Sequence, residues 1–352
     1  MYIDWLFIYI LDESDFAPPF PLNPMKLATF RILNGSPRVG IVHSDDRQVF
    51  DLSAGVARLG GDPAAFADML ALMNGGDRAL DIAREAQAKH ACDPAINHSI
   101  DDVELLSPVP VPMSIRDFVA FPAHIHNAPR ALRGLATQLG IGSTTQAIGP
   151  APLDVPPVYR RHPNYYKGNR FTVIGSNAAV RRPRDSRFLD YELEFGIFIG
   201  RNGIDVPHVR ARDHIFGYAV FNDFSARDIQ VYEMGGMTGP CKSKDFATGN
   251  AIGPWIVTAD EVPDPYALAM HSRVNGETWC SGSSQGMLHS FEDMIAYVSR
   301  DEPLRPGEFF GSGTVGGGTG MEINRYLQDG DIVELEVQCL GVLLNRIESA
   351  RD

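Results

Sequence analysis

Two apolar, β-prone runs that carry carboxylates constrain the fold of this chain more than any other feature, and they occupy residues 190–200 and 216–230. Successive side chains of a β-strand alternate between its two faces, so Glu192 and Glu194 would point the same way, ~7 Å apart. Such carboxylates repel each other and resist burial among hydrophobic side chains, and a bound divalent cation would remove both costs. The alternative is a solvent-exposed sheet face on which the acids are hydrated.

The overall composition narrows the class of partner. The chain has 352 residues, 44% of them hydrophobic, which suits one large domain and a smaller one. A net charge of -13 argues against nucleic acid and anionic membranes as partners, but it allows a local basic pocket for a small anionic substrate. The four cysteines are scattered and form no C-x-x-C pair, so we expect a reducing, cytoplasmic setting.

Proline-rich segments mark the expected boundaries along the chain. The apolar run at residues 5–11 is too short to span a bilayer, and a stiff segment at 16–24 follows it. Alternate prolines at Pro108, Pro110 and Pro112 predict an extended linker. In chain order we predict an N-terminal extension (1–24), with Met25 as the expected native start, a small α+β domain (25–107), and a catalytic domain (108–352) with a lid or insertion at 134–164.

Local patterns predict the secondary structure. Short strands are expected over 27–32, 39–42 and 48–52, followed by two helices within 63–90 that Gly75-Gly76 separates. In the second half strands follow one another without regular helical crossovers, which predicts a mixed, β-rich α+β fold instead of a doubly wound one. Three later elements are also predicted: a hairpin turn at 274–277, a helix at 291–298 and a closing hairpin at 331–344.

An acid precedes a His-x-His pattern by seven residues. One interpretation is a metal-binding carboxylate, Asp117, followed by a catalytic histidine, His124. A second makes His124 and His126 the metal ligands. A third is a helix start with surface histidines. The residues alone leave all three open.

Residues 311–320 form a glycine-rich segment that superficially matches the dinucleotide-binding pattern G-x-G-x-x-G. That pattern needs a strand before it and a helix after it, whereas here a Pro-Gly turn precedes and three consecutive glycines disfavour a helix. We expect instead a loop whose backbone closely approaches a site, with Glu322 just beyond it. Lys244 could stabilise developing negative charge or be a solvated turn lysine.

Four segments together resemble the fumarylacetoacetate hydrolase family, over roughly residues 104–348. They are Asp190-Tyr-Glu-Leu-Glu194, Asn222-Asp-Phe-Ser-Ala-Arg-Asp-Ile-Gln230, Lys244 through Pro254-Trp255, and Arg305-Pro-Gly307 leading to Gly313-Thr314. The spacing from Asp117 to His124 resembles the larger, fumarylacetoacetase-type members, in which an extra N-terminal domain precedes the catalytic one. The resemblance implies a rolled β-sandwich of the β-roll type and a homodimer.

The resemblance also implies roles for individual residues. The implied ligands of Mg²⁺ or Ca²⁺, with Mn²⁺ as a further candidate, are Asp117, Glu192, Glu194 and Asp223. The implied general base and the carboxylate that orients it are His124 and Glu322. The implied stabilisers of the oxyanion and leaving group are Arg227, Gln230 and Lys244. The implied contacts to substrate carboxylate and carbonyl groups are Arg133, Tyr166 and Thr314.

The implied activity is metal-dependent hydrolysis of a carbon–carbon bond in a diketo acid or acylpyruvate-like substrate. A 2-oxo acid decarboxylase, dehydratase or isomerase would use the same cation without a hydrolytic water, and a non-catalytic metabolite-binding protein is a third hypothesis. One position departs from the fumarylacetoacetase pattern. Met234 stands four residues after Gln230, where that pattern places an aromatic hydroxyl, and this argues against fumarylacetoacetate itself as the substrate.

Overall fold

A computed structural model of the chain describes residues 24–33, 35–142, 154–236 and 239–350, so the predicted extension before residue 24 and residues 143–153 of the predicted lid lie outside it. In chain order the strands are β1 (Lys26–Ile32), β2 (Arg38–Val42), β3 (Gln48–Asp51), β4 (Asn97–Ser99), β5 (Val103–Leu105), β6 (Ile115–Phe118), β7 (Tyr165–Gly168), β8 (Val173–Ile174), β9 (Ala179–Arg181), β10 (Leu189–Asp190), β11 (Leu193–Ile199), β12 (Ile215–Asp223), β13 (Ser225–Ala226), β14 (Asn250–Thr258), β15 (Ala269–Val274), β16 (Glu277–Ser283), β17 (Phe309–Gly311), β18 (Ile332–Val337) and β19 (Gly341–Glu348). The α-helices are α1 (Leu52–Arg58), α2 (Met69–His90), α3 (Pro122–Gln138), α4 (Pro157–Arg161), α5 (His208–Ala211), α6 (Arg227–Gly235) and α7 (Phe291–Val298). Short 3-10 helices occupy Pro63–Phe66, Ile100–Asp102, Arg170–Thr172, Arg212–His214, Ala259–Glu261 and Met321–Ile323.

The acidic runs lie within a large mixed sheet. Its strand order is β4-β3-β2-β1-β14-β12-β11-β17-β6-β7, with β5 paired to β1 and β8 paired to β14. Lys26 of β1 lies opposite Val257 of β14, and Leu27 lies opposite Ile256. The strands of the predicted N-terminal domain therefore continue the sheet of the predicted catalytic domain. The domain boundary at residue 107 stays a prediction.

A second sheet covers one face of the first. Its order is β16-β15-β18-β19-β9, and strands β15, β18 and β19 contact β11, β12 and β14. Phe195 and Ile197 of β11 join the core on this side, whereas Phe198 joins the core on the opposite side. Because the central strands are buried on both faces, they are continuously apolar instead of alternating. The fold is mixed α+β and rich in sheet, as predicted, and the rolled-sandwich description stays a prediction.

Helices α1 and α2 cover the opposite face of the large sheet. Val56, Leu72 and Met73 pack there in one cluster with Phe198 of β11. Helix α2 is kinked at Gly76, whose φ is 59°. The predicted break between two helices at this position is therefore confirmed.

The second acidic run ends earlier than predicted. Residues 227–230 begin helix α6 and do not continue the strand. The pattern misled because α6 buries polar side chains, among them Arg227, Asp228 and Gln230, so its buried face has no apolar periodicity.

The predicted irregular segment at 134–164 also begins too early. Helix α3 continues through Gly134 to Gln138, because Leu132, Leu135 and Ala136 keep a buried helical face across the glycine. Part of the segment's far end is helical as well, since α4 lies within it.

Local turn and cap chemistry explains the later elements. Asn275 and Gly276 join β15 to β16 with φ angles of 52° and 78°, which confirms the predicted hairpin turn. Helix α7 has the predicted bounds and begins with a capping box between Ser290 and Asp293. The closing hairpin is formed by β18 and β19, a few residues beyond its predicted bounds. Within the described residues, no helix is both long enough and apolar enough to cross a membrane.

Candidate metal and acid–base site

Three carboxylates project from one face of the large sheet. Asp223 ends β12, Glu194 lies in β11, and Asp117 lies in β6. Glu194 pairs with Phe221, two residues before Asp223, so both carboxylates share a face. Gly311 of β17 lies between them and Asp117, and a Cβ atom at this glycine would lie 2.4 Å from Asp117 Oδ1. The absence of a side chain at Gly311 therefore leaves room for the third carboxylate.

Glu192 reaches the same place from the short connection between β10 and β11. Its backbone amide donates to Asn222 Oδ1 at 3.0 Å, and it forms an isolated β-bridge with Thr319. One carboxylate oxygen from each of the four predicted metal ligands lies within 4.8 Å of the other three: Asp117, Glu192, Glu194 and Asp223. The structure thus brings the four acids together, while their role as ligands stays a prediction.

The chemistry of this cluster fits a divalent cation. Asp117 Oδ1 and Asp223 Oδ1 are buried without a hydrogen-bond partner. Burial raises the pKa of Asp117 to about 6, and it raises the pKa of Glu194 and of Asp223 well above the usual range. A bound cation would give the unpaired oxygens a partner and would lower the free-energy cost of ionising these acids. A donor set made only of oxygen suits Mg²⁺, Ca²⁺ and Mn²⁺.

Two buried cationic side chains lie among the acids. Lys244 Nζ donates to Glu192 Oε2 at 2.7 Å and also to Asp223. Arg227 donates from Nη2 to Glu192 Oε1 and from Nε to Asp190 Oδ2, each at 2.8 Å. Burial opposes the charge of Lys244, but Asp223 and Glu192 outweigh it and raise the pKa of Lys244. Burial likewise disfavours ionisation of Glu192, yet Lys244 and Arg227 outweigh it and lower the pKa of Glu192.

A histidine and a glutamate form a hydrogen-bonded pair beside the acids. His124, near the start of α3, lies with Nδ1 2.5 Å from Glu322 Oε1. Glu322 also accepts hydrogen bonds from Asn127 Nδ2 at 3.1 Å and from the backbone amide of Gly317 at 2.8 Å. A carboxylate on Nδ1 fixes the tautomer that leaves Nε2 as the proton acceptor. The predicted pairing of His124 with Glu322 is therefore present in the structure.

His126 does not join this pair. Side chains two residues apart on a helix point in different directions, and His126 lies two residues after His124 on α3. In the described part of the chain, the side chains that cluster with metal-binding geometry are the four acids. The structure does not support the interpretation that made both histidines metal ligands.

The glycine-rich segment aims backbone amides at three carboxylates. Gly313 N donates to Glu194 Oε2 at 3.0 Å, and Gly317 N donates to Glu322 as described above. Gly320 N donates to Asp190 Oδ1 at 2.7 Å. This is the predicted loop whose backbone approaches a site closely.

A cavity of about 530 Å³ opens beside these groups. The predicted site residues that line it are Asp117, His124, Tyr166, Glu192, Glu194, Gln230, Lys244 and Thr314. Asp223, Arg227, Arg133 and Glu322 are not among its described lining residues. Arg227 is completely buried beneath Glu192, so its position does not support direct stabilisation of an oxyanion. Arg133 is half-buried on α3, next to the lining residue Leu132.

The hydroxyl groups predicted to contact substrate bind carboxylates of the cluster. Tyr166 Oη donates to Asp223 Oδ2, and Thr314 Oγ1 donates to Glu194 Oε1 at 3.1 Å. Burial, followed by the nearby Asp223, raises the pKa of Tyr166 well above its usual value, which keeps the phenol protonated. Gln230 Oε1 accepts from Arg227 Nη1 at 2.9 Å, so its amide group is held in place at the cavity wall.

The sequence interpretation missed two residues that organise the site. Asp190 is completely buried and ties Arg227 to the glycine-rich loop, and its place in the alternation with Glu192 and Glu194 was the available signal. Glu233 accepts hydrogen bonds from Cys241 N at 2.9 Å and from Ser243 Oγ at 2.6 Å. It thereby fastens the loop that carries Lys244 to helix α6, and no local pattern reveals this contact.

Comparison with known proteins supports the resemblance. Residues 115–348 match the family model described as fumarylacetoacetate (FAA) hydrolase, C-terminal. A protein of Burkholderia multivorans that carries only a provisional name as a hydrolase is 38% identical over 183 residues. The match covers 51% of this chain and 64% of that relative's length.

Solved structures share the fold across most of the chain. Fumarylacetoacetate hydrolase from psychrophilic Exiguobacterium antarcticum has a TM-score of 0.67 at 26% identity, covering 93% of this chain and 100% of its own. Maleylpyruvate hydrolase from Sphingobium sp. SYK-6 has a TM-score of 0.66 at 24% identity, with the same coverage, and was also solved with manganese(II) and pyruvate. 2-Hydroxyhepta-2,4-diene-1,7-dioate isomerase from Mycobacterium marinum has a TM-score of 0.63 at 21% identity, again with this coverage. Since the family model spans well over half of it, this chain belongs to the fumarylacetoacetate hydrolase family.

Proposed function

We propose that the protein is a divalent-metal-dependent hydrolase that cleaves a carbon–carbon bond in a diketo acid of the acylpyruvate type. The observation that carries the proposal is the position of His124, which is paired with Glu322 and lines the same cavity as Asp117, Glu192 and Glu194 of the acid cluster. The acid cluster would hold a cation, and the cation would stabilise negative charge on the substrate. The histidine provides for removal of a proton from water, which hydrolysis requires and simple enolate chemistry does not.

The proposed reaction consumes one water molecule. The water oxygen bonds to the acyl carbonyl carbon, and the bond from this carbon to the adjacent methylene breaks. The bonding electrons stay on the methylene carbon as the enolate of pyruvate, which is then protonated. The products are a carboxylic acid and pyruvate, with no oxidation or reduction.

Asp117, Glu192, Glu194 and Asp223 would hold the cation. When bound, it supplies Lewis-acid stabilisation of negative charge on substrate oxygens. The Sphingobium maleylpyruvate hydrolase, which was solved with manganese(II) and pyruvate, supports an ion of this class and a 2-oxo acid ligand. The choice among Mg²⁺, Ca²⁺ and Mn²⁺ is set by coordination number and geometry and not by ligand type.

His124 is the proposed general base. Glu322 binds Nδ1 and thereby orients the ring so that Nε2 is the atom that accepts a proton from water. A positioned base of this kind contributes about 10²- to 10⁴-fold in rate. Asn127 and Gly317 hold the carboxylate of Glu322 in turn, so the base is fixed before substrate binds.

The remaining lining residues are proposed to bind substrate oxygens. Lys244 and Gln230 present an ammonium and an amide to the cavity and stabilise the oxyanion and the leaving enolate. Tyr166 and Thr314 are the proposed contacts to carbonyl oxygens, and Arg133 is the proposed contact to a carboxylate. Arg227 is proposed to act through Glu192, because two of its nitrogens are committed to buried carboxylates.

We also propose a homodimer with the rolled β-sandwich of the family, in a reducing cytoplasmic setting. Support for the reducing setting comes from Cys92, Cys241, Cys280 and Cys339, which are all free thiols.

An isomerase, decarboxylase or dehydratase acting on a 2-oxo acid is the second candidate. The observation that favours it is the structural likeness to the Mycobacterium marinum isomerase. Such an enzyme would use the acid cluster without needing a proton-accepting histidine next to water.

Product analysis separates the candidates. Purified protein is incubated with acylpyruvates and Mg²⁺ or Mn²⁺, with a chelator control, in water enriched in ¹⁸O. Hydrolysis gives equal amounts of carboxylic acid and pyruvate, with ¹⁸O in the new carboxylate, and stops on chelation. Release of CO₂, or isomerised substrate without incorporated oxygen, would reject the hydrolase in favour of the second candidate.

A further inference from the structure

One part of the cavity lining is apolar, and we call it the acyl wall: Ile125, Ala128, Pro129 and Leu132 of α3 together with Met234 of α6. The four residues of α3 follow the spacing i, i+3, i+4, i+7, so they lie on one face of the helix. Helix α3 packs on α6, which places Met234 on the neighbouring element. The acyl wall therefore contains no hydrogen-bonding side chain.

The basic side chains among the described lining residues are His124, Lys167 and Lys244. Glu322 binds His124, and Glu192 with Asp223 binds Lys244. Lys167 of β7 is exposed and forms no ion pair with another described residue. Lys167 is thus the basic lining residue left for a substrate carboxylate, and Arg133, the proposed carboxylate contact, is not among the described lining residues of the cavity. The carboxylate of the 2-oxo acid end already needs such a partner.

We infer that the acyl group of the substrate is uncharged and apolar, an alkyl or aryl chain packed on the acyl wall. This inference rests on the proposed function and specifies its substrate class. A second carboxylate at the end of the acyl chain would be placed against apolar carbon without a partner, which is costly. An alkyl chain there gains from burial instead.

The test uses two substrates with the same six-carbon acyl chain. Hexanoylpyruvate ends in a methyl group, and adipoylpyruvate ends in a carboxylate. The kcat/KM for hexanoylpyruvate is expected to exceed that for adipoylpyruvate by about tenfold or more. Equal values, or a preference for adipoylpyruvate, overturn the inference and leave the proposed function standing.

Variants at Met234 connect the preference to the acyl wall. Met234→Lys places an ammonium in the wall and is expected to bring kcat/KM for adipoylpyruvate above that for hexanoylpyruvate. The matched variant Met234→Leu keeps an apolar side chain and is expected to keep the wild-type order. Acetylpyruvate, which has no chain to pack on the wall, reports in each variant whether the catalytic groups still work. An unchanged order in Met234→Lys, with acetylpyruvate still cleaved, overturns the assignment of the wall.

Binding decides the inference even if turnover fails. Thermal shifts of the protein with Mn²⁺ are compared for hexanoate and adipate. If none of the three acylpyruvates is cleaved, the proposed function is rejected. A larger shift with hexanoate than with adipate would still support an apolar acyl wall, and the reverse order would overturn it.

Discussion

Arg227 Nη2 lies 2.8 Å from Glu192 Oε1, and the two side chains are 0% and 6% exposed. The second carboxylate oxygen of Glu192 binds Lys244. The guanidinium is itself held by Asp190 and Gln230. Arg227 therefore fixes the orientation of a carboxylate in the acid cluster without lining the cavity.

Replacing Arg227 by lysine is expected to weaken metal binding. A lysine cannot make the two forked contacts to Glu192 and Asp190, so the affinity for Mn²⁺, measured by calorimetry, should fall about 10- to 100-fold. The free energy of unfolding should fall by about 3 kcal/mol, because buried carboxylates lose their partner. Arg325→Lys is the control, since its forked contact to Glu277 lies on the surface and is worth little. If the Arg227→Lys variant bound Mn²⁺ with wild-type affinity, Arg227 would have no role in orienting the metal site.

Replacing His124 by glutamine should abolish hydrolysis while metal binding persists. The expected loss in kcat is about 10²- to 10⁴-fold, because glutamine cannot accept the proton of water. His126→Gln on the same helix is the matched control and should lose little activity. Calorimetric titration with Mn²⁺ checks that the His124 variant keeps its cation site. Substantial turnover by the His124 variant would show that another residue is the general base.

Metal binding should stabilise the protein more at pH 7.5 than at pH 5. Burial raises the pKa of Asp117 to about 6, against an ordinary value of about 4 in the unfolded chain. Between these values the folded chain keeps a proton that the unfolded chain has lost. Without metal, the free energy of unfolding therefore falls as pH rises through this window, by about 3 kcal/mol.

A divalent cation binds the deprotonated acids and reverses this loss. The rise in Tm on replacing a chelator with Mg²⁺ should thus be larger at pH 7.5, and Asp117→Asn should show less of the decline in stability of the metal-free protein. Equal Tm shifts at both pH values would contradict the prediction.

Gly313→Ala should damage both stability and activity. Gly313 has a φ of 79°, and an added Cβ would lie 2.3 Å from the carbonyl oxygen of Phe118. The loop must move, which breaks the hydrogen bond from Gly313 N to Glu194 and should lower the free energy of unfolding by about 3 kcal/mol. Gly330→Ala is the control, because Gly330 has a φ of 93° but open space around its Cβ position. It should cost only about 1 kcal/mol, measured by denaturant unfolding, and keep full turnover.

Much of the candidate site was accessible from the sequence, because its acids lie on strands. Alternation in an apolar run placed Glu192 and Glu194 on one face, and the structure places both in the acid cluster. The glycine-rich segment was also predicted as a loop that approaches the site. Three successive glycines disfavour a helix, and this can be judged from the residues alone.

Long-range strand pairing and buried polar side chains could not be predicted from the sequence. The pairing of β1 with β14 joins residues more than 200 positions apart, and no local pattern encodes it. Helix α6 buries Arg227 and Gln230, so its apolar periodicity is absent, and the placement of Arg227 behind Glu192 was missed for the same reason.

The glycine-rich loop gives the amides of Gly313 and Gly317 to carboxylates with different duties, Glu194 in the acid cluster and Glu322 behind His124. A displacement of this loop would therefore alter both the affinity for the ion and the orientation of the histidine ring. Neither property can be retuned alone by remodelling the loop. New substrate ranges on this scaffold are more readily reached by exchanging the acyl-wall side chains of α3 and α6, which form no hydrogen bond with Glu194 or Glu322.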